Sequence, residues 1–174
     1  TEVRMHDVIK APDVNSYWKV YEGSYHPITT SVTDEDVNTG RYALKIVDST
    51  EKWVHNSYRY IYQTVKVKPN TTYTFGMSAK GKNVKNAWFT PTNYMVMYKM
   101  NGTYDWKTFS GSYTTENEQT ELTFKIYVED AAEAFYIDDV YFSEAGTTEK
   151  LLKDSGFEIF PDTFAFSLYT CHPD

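Results

Sequence analysis

Short segments in which apolar and polar residues alternate, each closed by glycine, asparagine, aspartate or proline, recur along this chain and leave almost no helical periodicity. Alternation with period two puts successive side chains on opposite faces, so it specifies a strand with one face toward a core. Residues 72–80 show the pattern most cleanly: Tyr73, Phe75, Met77 and Ala79 share one face, and Thr72, Thr74, Gly76 and Ser78 the other. Similar strands are predicted at 43–47, at 58–67 (closed by Lys68-Pro69-Asn70), at 93–100 (ending at Asn101-Gly102), and at 106–114, 121–128 and 135–142. Even spacing with turn residues between strands predicts an all-β sandwich or barrel.

The 174 residues suit one domain with a full core and not two. An internal echo complicates this. Val8-Ile9-Lys10-Ala11-Pro12-Asp13-Val14-Asn15 resembles Leu151-Leu152-Lys153-Asp154-Ser155-Gly156-Phe157-Glu158, 143 positions later. That offset is about one domain length. The expected organisation is therefore a module over 1–146, with 147–174 a linker and the start of a second, truncated module. Phe157, Ile159, Phe160, Phe164 and Phe166 would then lack partners in this domain. The competing reading makes 147–174 a terminal strand of the same domain.

Aromatic residues make up 17% of the chain, with 16 Tyr, 10 Phe and 4 Trp. That exceeds what a core needs, because each buried Tyr must also satisfy its hydroxyl, so some rings are expected at a surface. The net charge of −7 and the absence of a basic stripe argue against a nucleic-acid partner. Cys171 is the single cysteine, so no intrachain disulfide forms, and the compartment stays open on that evidence. No apolar run reaches membrane-spanning length, and the four histidines lack metal-ligand spacing.

Four segments, in order, carry a resemblance. Gly40-Arg41-Tyr42-Ala43-Leu44-Lys45-Ile46 is one, and Gln63-Thr64-Val65 with Pro69-Asn70-Thr71-Thr72-Tyr73 is the second. Trp106-Lys107-Thr108-Phe109-Ser110-Gly111-Ser112-Tyr113-Thr114 and Phe135-Tyr136-Ile137-Asp138-Asp139-Val140-Tyr141-Phe142 complete the set. Together they resemble the carbohydrate-binding module superfamily of families 4, 9, 16 and 22, with family 22 nearest. The resemblance spans about residues 8–145 and implies a jelly-roll β-sandwich of two antiparallel sheets. The family's opening Asn-Pro-Gly-Phe-Glu reads Ala11-Pro12-Asp13-Val14-Asn15 here, and the better match, Ser155-Gly156-Phe157-Glu158, lies near the other end.

Sugar rings present faces of C–H bonds, which stack on flat aromatic side chains while polar groups fix the hydroxyls. Trp53, in the polar loop 48–56, is the first candidate, because a Trp there has little structural reason to exist. Thr50-Glu51-Lys52-Trp53 is also similar to a family 22 loop that supplies a stacking Trp. If Leu122, Phe124, Ile126 and Val128 face the core, then Thr123, Lys125, Tyr127 and Glu129 share the other face. Tyr127 would stack or hydrogen-bond and Glu129 would accept from hydroxyls, or the pair is a solvated strand end. Tyr58, Tyr60 and Tyr62 form a stripe that lines a cleft or caps an edge. Trp88, in a loop-like segment, would rim the cleft, whereas Trp18 and Trp106 read as core. The resemblance also implies a structural Ca²⁺, with Asp138 as a ligand and Asn15 as a weakened replacement for the opening-motif Glu. The alternative for Asp138 is a buried acceptor holding loop amides.

The function implied is non-catalytic binding of a polysaccharide, a β-linked plant glycan such as xylan or mixed β-glucan. Its partners would be catalytic and further modules of the same parent chain, in a secreted or cell-surface bacterial protein, with the module a monomer and no membrane contact. Two alternatives compete. A small jelly-roll glycanase or lyase needs two opposed carboxyls, and beside Glu129 no strand supplies an obvious second. A cell-surface adhesive or spacer domain would have lost its sugar site.

Overall fold

A computed structural model describes residues 17–22, 28–48, 59–92, 98–128 and 132–159. Its strands are β1 (Lys19–Glu22), β2 (Thr29–Thr33), β3 (Ala43–Asp48), β4 (Arg59–Lys66), β5 (Thr72–Val84), β6 (Ala87–Thr90), β7 (Tyr98–Lys99), β8 (Gly102–Thr114), β9 (Glu121–Val128) and β10 (Ala132–Glu144). They form two five-stranded sheets, a front sheet ordered β1-β4-β9-β6-β7 and a back sheet ordered β2-β3-β10-β5-β8. All pairings are antiparallel. This is the jelly-roll sandwich that the alternation and the resemblance predict.

The inward faces match the sequence pattern. Tyr73, Phe75, Met77 and Ala79 of β5 meet Leu122, Phe124, Ile126 and Val128 of β9 in one core. Phe75 stacks on Phe142 at 5.5 Å and meets Phe124 at 5.8 Å, joining the two sheets through aromatic contacts. Trp18 is fully buried, as expected. At one end of the core Arg59 Nη2 and Asp48 Oδ2 form an ion pair at 2.7 Å, with both side chains at most 1% exposed. A pair this dry stabilises little against apolar residues, but losing one partner strands a buried charge.

Trp106 departs from expectation. It is half-buried on the outer face of the back sheet, near Tyr136, and donates Nε1–H to Asp36 Oδ1 at 2.8 Å. In β8, Phe109 and Tyr113 pack toward the core, and Trp106, at the opposite parity, falls on the outer face. Of the predicted strand at 93–100, β7 is the described part, and β6 is a strand where the sequence predicts a loop.

Residues 151–159 pack against this same sandwich. β1 covers β4 only as far as Tyr62, so the inward Gln63 lies past its end. Gln63 there exchanges hydrogen bonds with the Lys153 backbone: Nε2 donates to its carbonyl at 2.8 Å, and Oε1 accepts from its N–H at 2.9 Å. Leu152 and Phe157 join the core, and Phe157 is fully buried with its ring 5.5 Å from Trp18. The expectation that Phe157 lacks a partner here is therefore corrected: Trp18 and the open flank of β4 leave a space of its size. Ile159 remains exposed. Phe160, Phe164 and Phe166 lie outside the described residues.

Candidate functional site

The outward positions of the front sheet line up in register. Tyr21 of β1 is opposite Tyr60 of β4, Tyr60 opposite Tyr127 of β9, Tyr127 opposite Trp88 of β6, and Trp88 opposite Lys99 of β7. Because the side-chain period is two, one shared register sends all five to the same face. The rings touch in sequence. Tyr21 stacks on Tyr60 at 4.8 Å, Tyr60 meets Tyr127 at 4.6 Å, and Tyr127 stacks on Trp88 at 3.9 Å with planes 6° apart. A neighbouring row runs Lys19, Tyr62, Lys125, Thr90, and Tyr62 sets its edge against Tyr60 at 5.6 Å.

Two cations lie over these rings. Lys125 Nζ is 5.0 Å from the Tyr60 centroid, and Lys99 Nζ is 5.9 Å from that of Trp88. Ring quadrupoles attract such cations. Partial burial lowers the Lys125 pKa from its ordinary value, because desolvation disfavours the ammonium. The face is thus aromatic, with two ammonium groups over its rings, and Lys99 Nζ also donates to Asn86 Oδ1 at 2.9 Å.

Exposure divides the row. Tyr127 is 0% exposed and Trp88 1%, whereas Tyr21 is 47% exposed and Tyr60 and Tyr62 are half-buried. This corrects two expectations. Tyr127 does lie on the non-core face, but its ring is enclosed between Trp88 and Tyr60 and presents no free face to a sugar. Trp88 is no loop residue on a rim. It sits in β6, whose four residues are all buried, and serves as backing for Tyr127. Among the described strand residues of this face, the accessible aromatic rings are Tyr21, Tyr60 and Tyr62. Tyr21 escaped sequence reading, although Lys19-Val20-Tyr21 alternates; a four-residue strand carries little pattern. Trp53, Glu129, Tyr58 and Asn15 lie outside the described residues.

At the other predicted site, Asp138 is fully buried. Its Oδ2 accepts from the N–H groups of Asn38 and Thr39, each at 3.0 Å, and Oδ1 accepts from Asp139 N–H at 2.7 Å. Burial pushes its carboxyl above the usual aspartate value, and the Thr39, Asp139 and Asn38 amides pull it back. The fold brings Glu158 to this end of the back sheet: a Cβ placed on Gly156 would be 3.7 Å from Glu158 Cγ and 3.8 Å from Asp138 Oδ1. This donor set is all oxygen, the chemistry Ca²⁺ takes. Among the described residues no group of three or more His, Cys, Asp or Glu side chains converges.

Residues 12–133 match the profile of a family described as carbohydrate binding domain, the CBM 4/9 group. The chain belongs to the carbohydrate binding domain family. Solved structures agree in fold. A bacteriophage CBA120 tailspike protein aligns at TM-score 0.59 with 11% identity, covering 74% of this chain and 19% of that one. A CBM4 module aligns at 0.52 with 20% identity, covering 73% and 86%. The CBM22-1 xylan-binding domain of a Paenibacillus barcinonensis protein aligns at 0.50 with 16% identity, covering 78% and 90%. This carbohydrate binding domain spans about a fifth of the tailspike protein and most of each isolated module. No curated protein matches the chain at a significant level. Among the described residues no helix is long and apolar enough to cross a membrane.

Proposed function

We propose that the outer face of the front sheet binds a β-linked plant glycan, xylan or mixed β-glucan, without catalysis. The observation that carries this reading is the register-aligned row Tyr21–Tyr60–Tyr127–Trp88, in which a buried pair backs an exposed pair. Stacked neighbours hold one another flat, and a flat, pre-ordered ring loses little entropy when a sugar settles on it. Tyr21, Tyr60 and Tyr62 supply the platform, and Lys125 donates to hydroxyls. Trp53, Tyr58 and Glu129 are proposed to complete the site from the flanking chain. The similarity to a xylan-binding domain supports xylan as the first ligand to try.

Hydrolysis by a carboxylate pair needs two acids across the bond. Along the described strand positions of this face the carboxylate is Glu121, and Lys66 Nζ holds it at 2.7 Å. The module is proposed to tether an attached enzyme, raising its local substrate concentration, in a secreted or cell-surface protein. It is proposed to work as a monomer and to hold one Ca²⁺ at Asp138, with Glu158 in place of Asn15. The test is retardation of the intact protein in gels containing xylan, mixed β-glucan or an unrelated α-glucan, beside a reducing-sugar assay. Retardation by a β-glycan with no new reducing ends is expected. Steady release of reducing ends, or no retardation in any gel, overturns the proposal.

A further inference from the structure

Of the two similar segments in the sequence, residues 151–158 fill a slot beside β10. Residues 151–159 lie along β10 as a strap: Leu151 N–H donates to Phe142 O at 2.9 Å, and Val140 N–H to Ser155 O at 2.8 Å. The second bond is possible because β10 shifts register between Asp138 and Tyr141, which releases Val140 from β5. Trp18 Nε1–H donates to Asp154 O at 2.9 Å, and Phe157 fills the space beside the Trp18 ring. Glu158, although exposed, accepts the N–H groups of Arg41 at 2.9 Å and Tyr42 at 3.1 Å through Oε1. Gly40 stands against that carboxylate at φ +68°, where a Cβ would fall 2.8 Å from Glu158 Cδ.

The slot demands left-handed backbone at two strap positions, Asp154 (φ 44°) and Phe157 (φ 57°). Aspartate tolerates that region, and for Phe157 full burial of the ring offsets the strain. The N-terminal echo places Ala11 and Val14 at the matching positions. A residue before proline, as Ala11 is, disfavours left-handed backbone, and a β-branched Val at positive φ would be a steric outlier, so this copy does not suit the slot. Asn15 matches Glu158 and brings no charge to the Arg41 and Tyr42 amides.

We propose that this slot is a peptide-recognition site whose ligand is an extended Asp-Ser-Gly-Phe-Glu strap: the chain's own strap fills it in the monomer, and the same strap presented by a second copy is accepted once the resident one is weakened. The slot reads an aromatic ring at 157, a carboxylate at 158 and a left-handed turn at 154. It discriminates against the N-terminal copy. None of this depends on glycan binding.

The test uses the full chain carrying Phe157→Ala and Glu158→Ala, which weakens the strap in place, and two fluorescently labelled peptides. One has the sequence of residues 150–160 and the other that of residues 7–17. By anisotropy, the 150–160 peptide should bind the double variant saturably and bind wild type at least tenfold more weakly. The 7–17 peptide should bind the variant at least tenfold more weakly than the 150–160 peptide does. Equal binding to wild type and variant, equal binding of the two peptides, or no binding to a variant with wild-type circular dichroism overturns the proposal. If the double variant loses its fold, Glu158→Ala alone is used. Amide exchange at Arg41 and Tyr42 should then speed up at least tenfold, and the 150–160 peptide should slow it again; unchanged exchange, or no effect of the peptide, overturns it.

Discussion

Trp88→Ala and Tyr60→Ala separate the two jobs that the aromatic row performs. Trp88 is 1% exposed and stacks on Tyr127 at 3.9 Å, so its loss removes a whole buried ring and leaves a cavity behind Tyr127. Truncating such a ring costs about 3–5 kcal/mol, of which the stacked pair itself accounts for about 0.5–1.5. At about 2–4 °C per kcal/mol for a domain of this size, the melting temperature should fall by roughly 6–20 °C. Tyr60 is half-buried, and its contacts with Tyr21, Tyr127 and Lys125 lie toward the surface. Its removal should cost only about 1 kcal/mol of stability, the scale of an aromatic pair. Its cost to binding should be larger, about 2 kcal/mol for a central aromatic anchor, which is roughly thirtyfold in affinity. Calorimetric melts and titrations with a soluble β-glycan on both variants give the four numbers. Melting of Trp88→Ala within about 3 °C of wild type, or wild-type affinity for Tyr60→Ala, refutes the division of roles.

The buried Arg59–Asp48 pair should resist substitution on one side only: Asp48→Ala should cost about 3–5 kcal/mol in urea unfolding, since Arg59 keeps its charge in the core. The exposed Lys66–Glu121 pair has the same 2.7 Å separation, and Glu121→Ala should cost less than about 1 kcal/mol; equal costs would contradict the burial argument. For the proposed Ca²⁺, a ligand that binds only the native state raises stability by mass action, so chelator should lower the melting temperature and Asp138→Ala should abolish that difference. Identical melts with calcium and with chelator remove the ion from the account.

The sheets were legible because alternation records which residues face the core, and Tyr73 to Ala79 and Leu122 to Val128 point where the pattern places them. What escaped did so for physical reasons. β6 is buried on both faces, so Ala87-Trp88-Phe89-Thr90 carries no alternation and reads as a loop between Asn86 and Pro91. Trp106 sits in a framework strand, but at the parity of its outer face, where hydrogen bonding to Asp36 replaces burial in the core. The face of Tyr127 follows from period two, whereas its exposure depends on Trp88 arriving from a strand 39 positions earlier in sequence. The strap was visible as a motif and invisible as a partner, because sequence similarity does not say which slot a segment fills.

Sugar is proposed to bind the front face through Tyr21, Tyr60 and Tyr62. The most direct measurement is a titration of the isotope-labelled protein with xylohexaose and with a mixed-linkage β-glucan oligosaccharide, followed by amide and aromatic NMR shifts. Saturable shifts are expected on β1, β4 and β9 around Tyr21, Tyr60, Tyr62 and Lys125, with β2, β3 and β8 unmoved. Shifts centred instead on Trp106 and Tyr136 of the back sheet, or none with either sugar, would contradict the proposal.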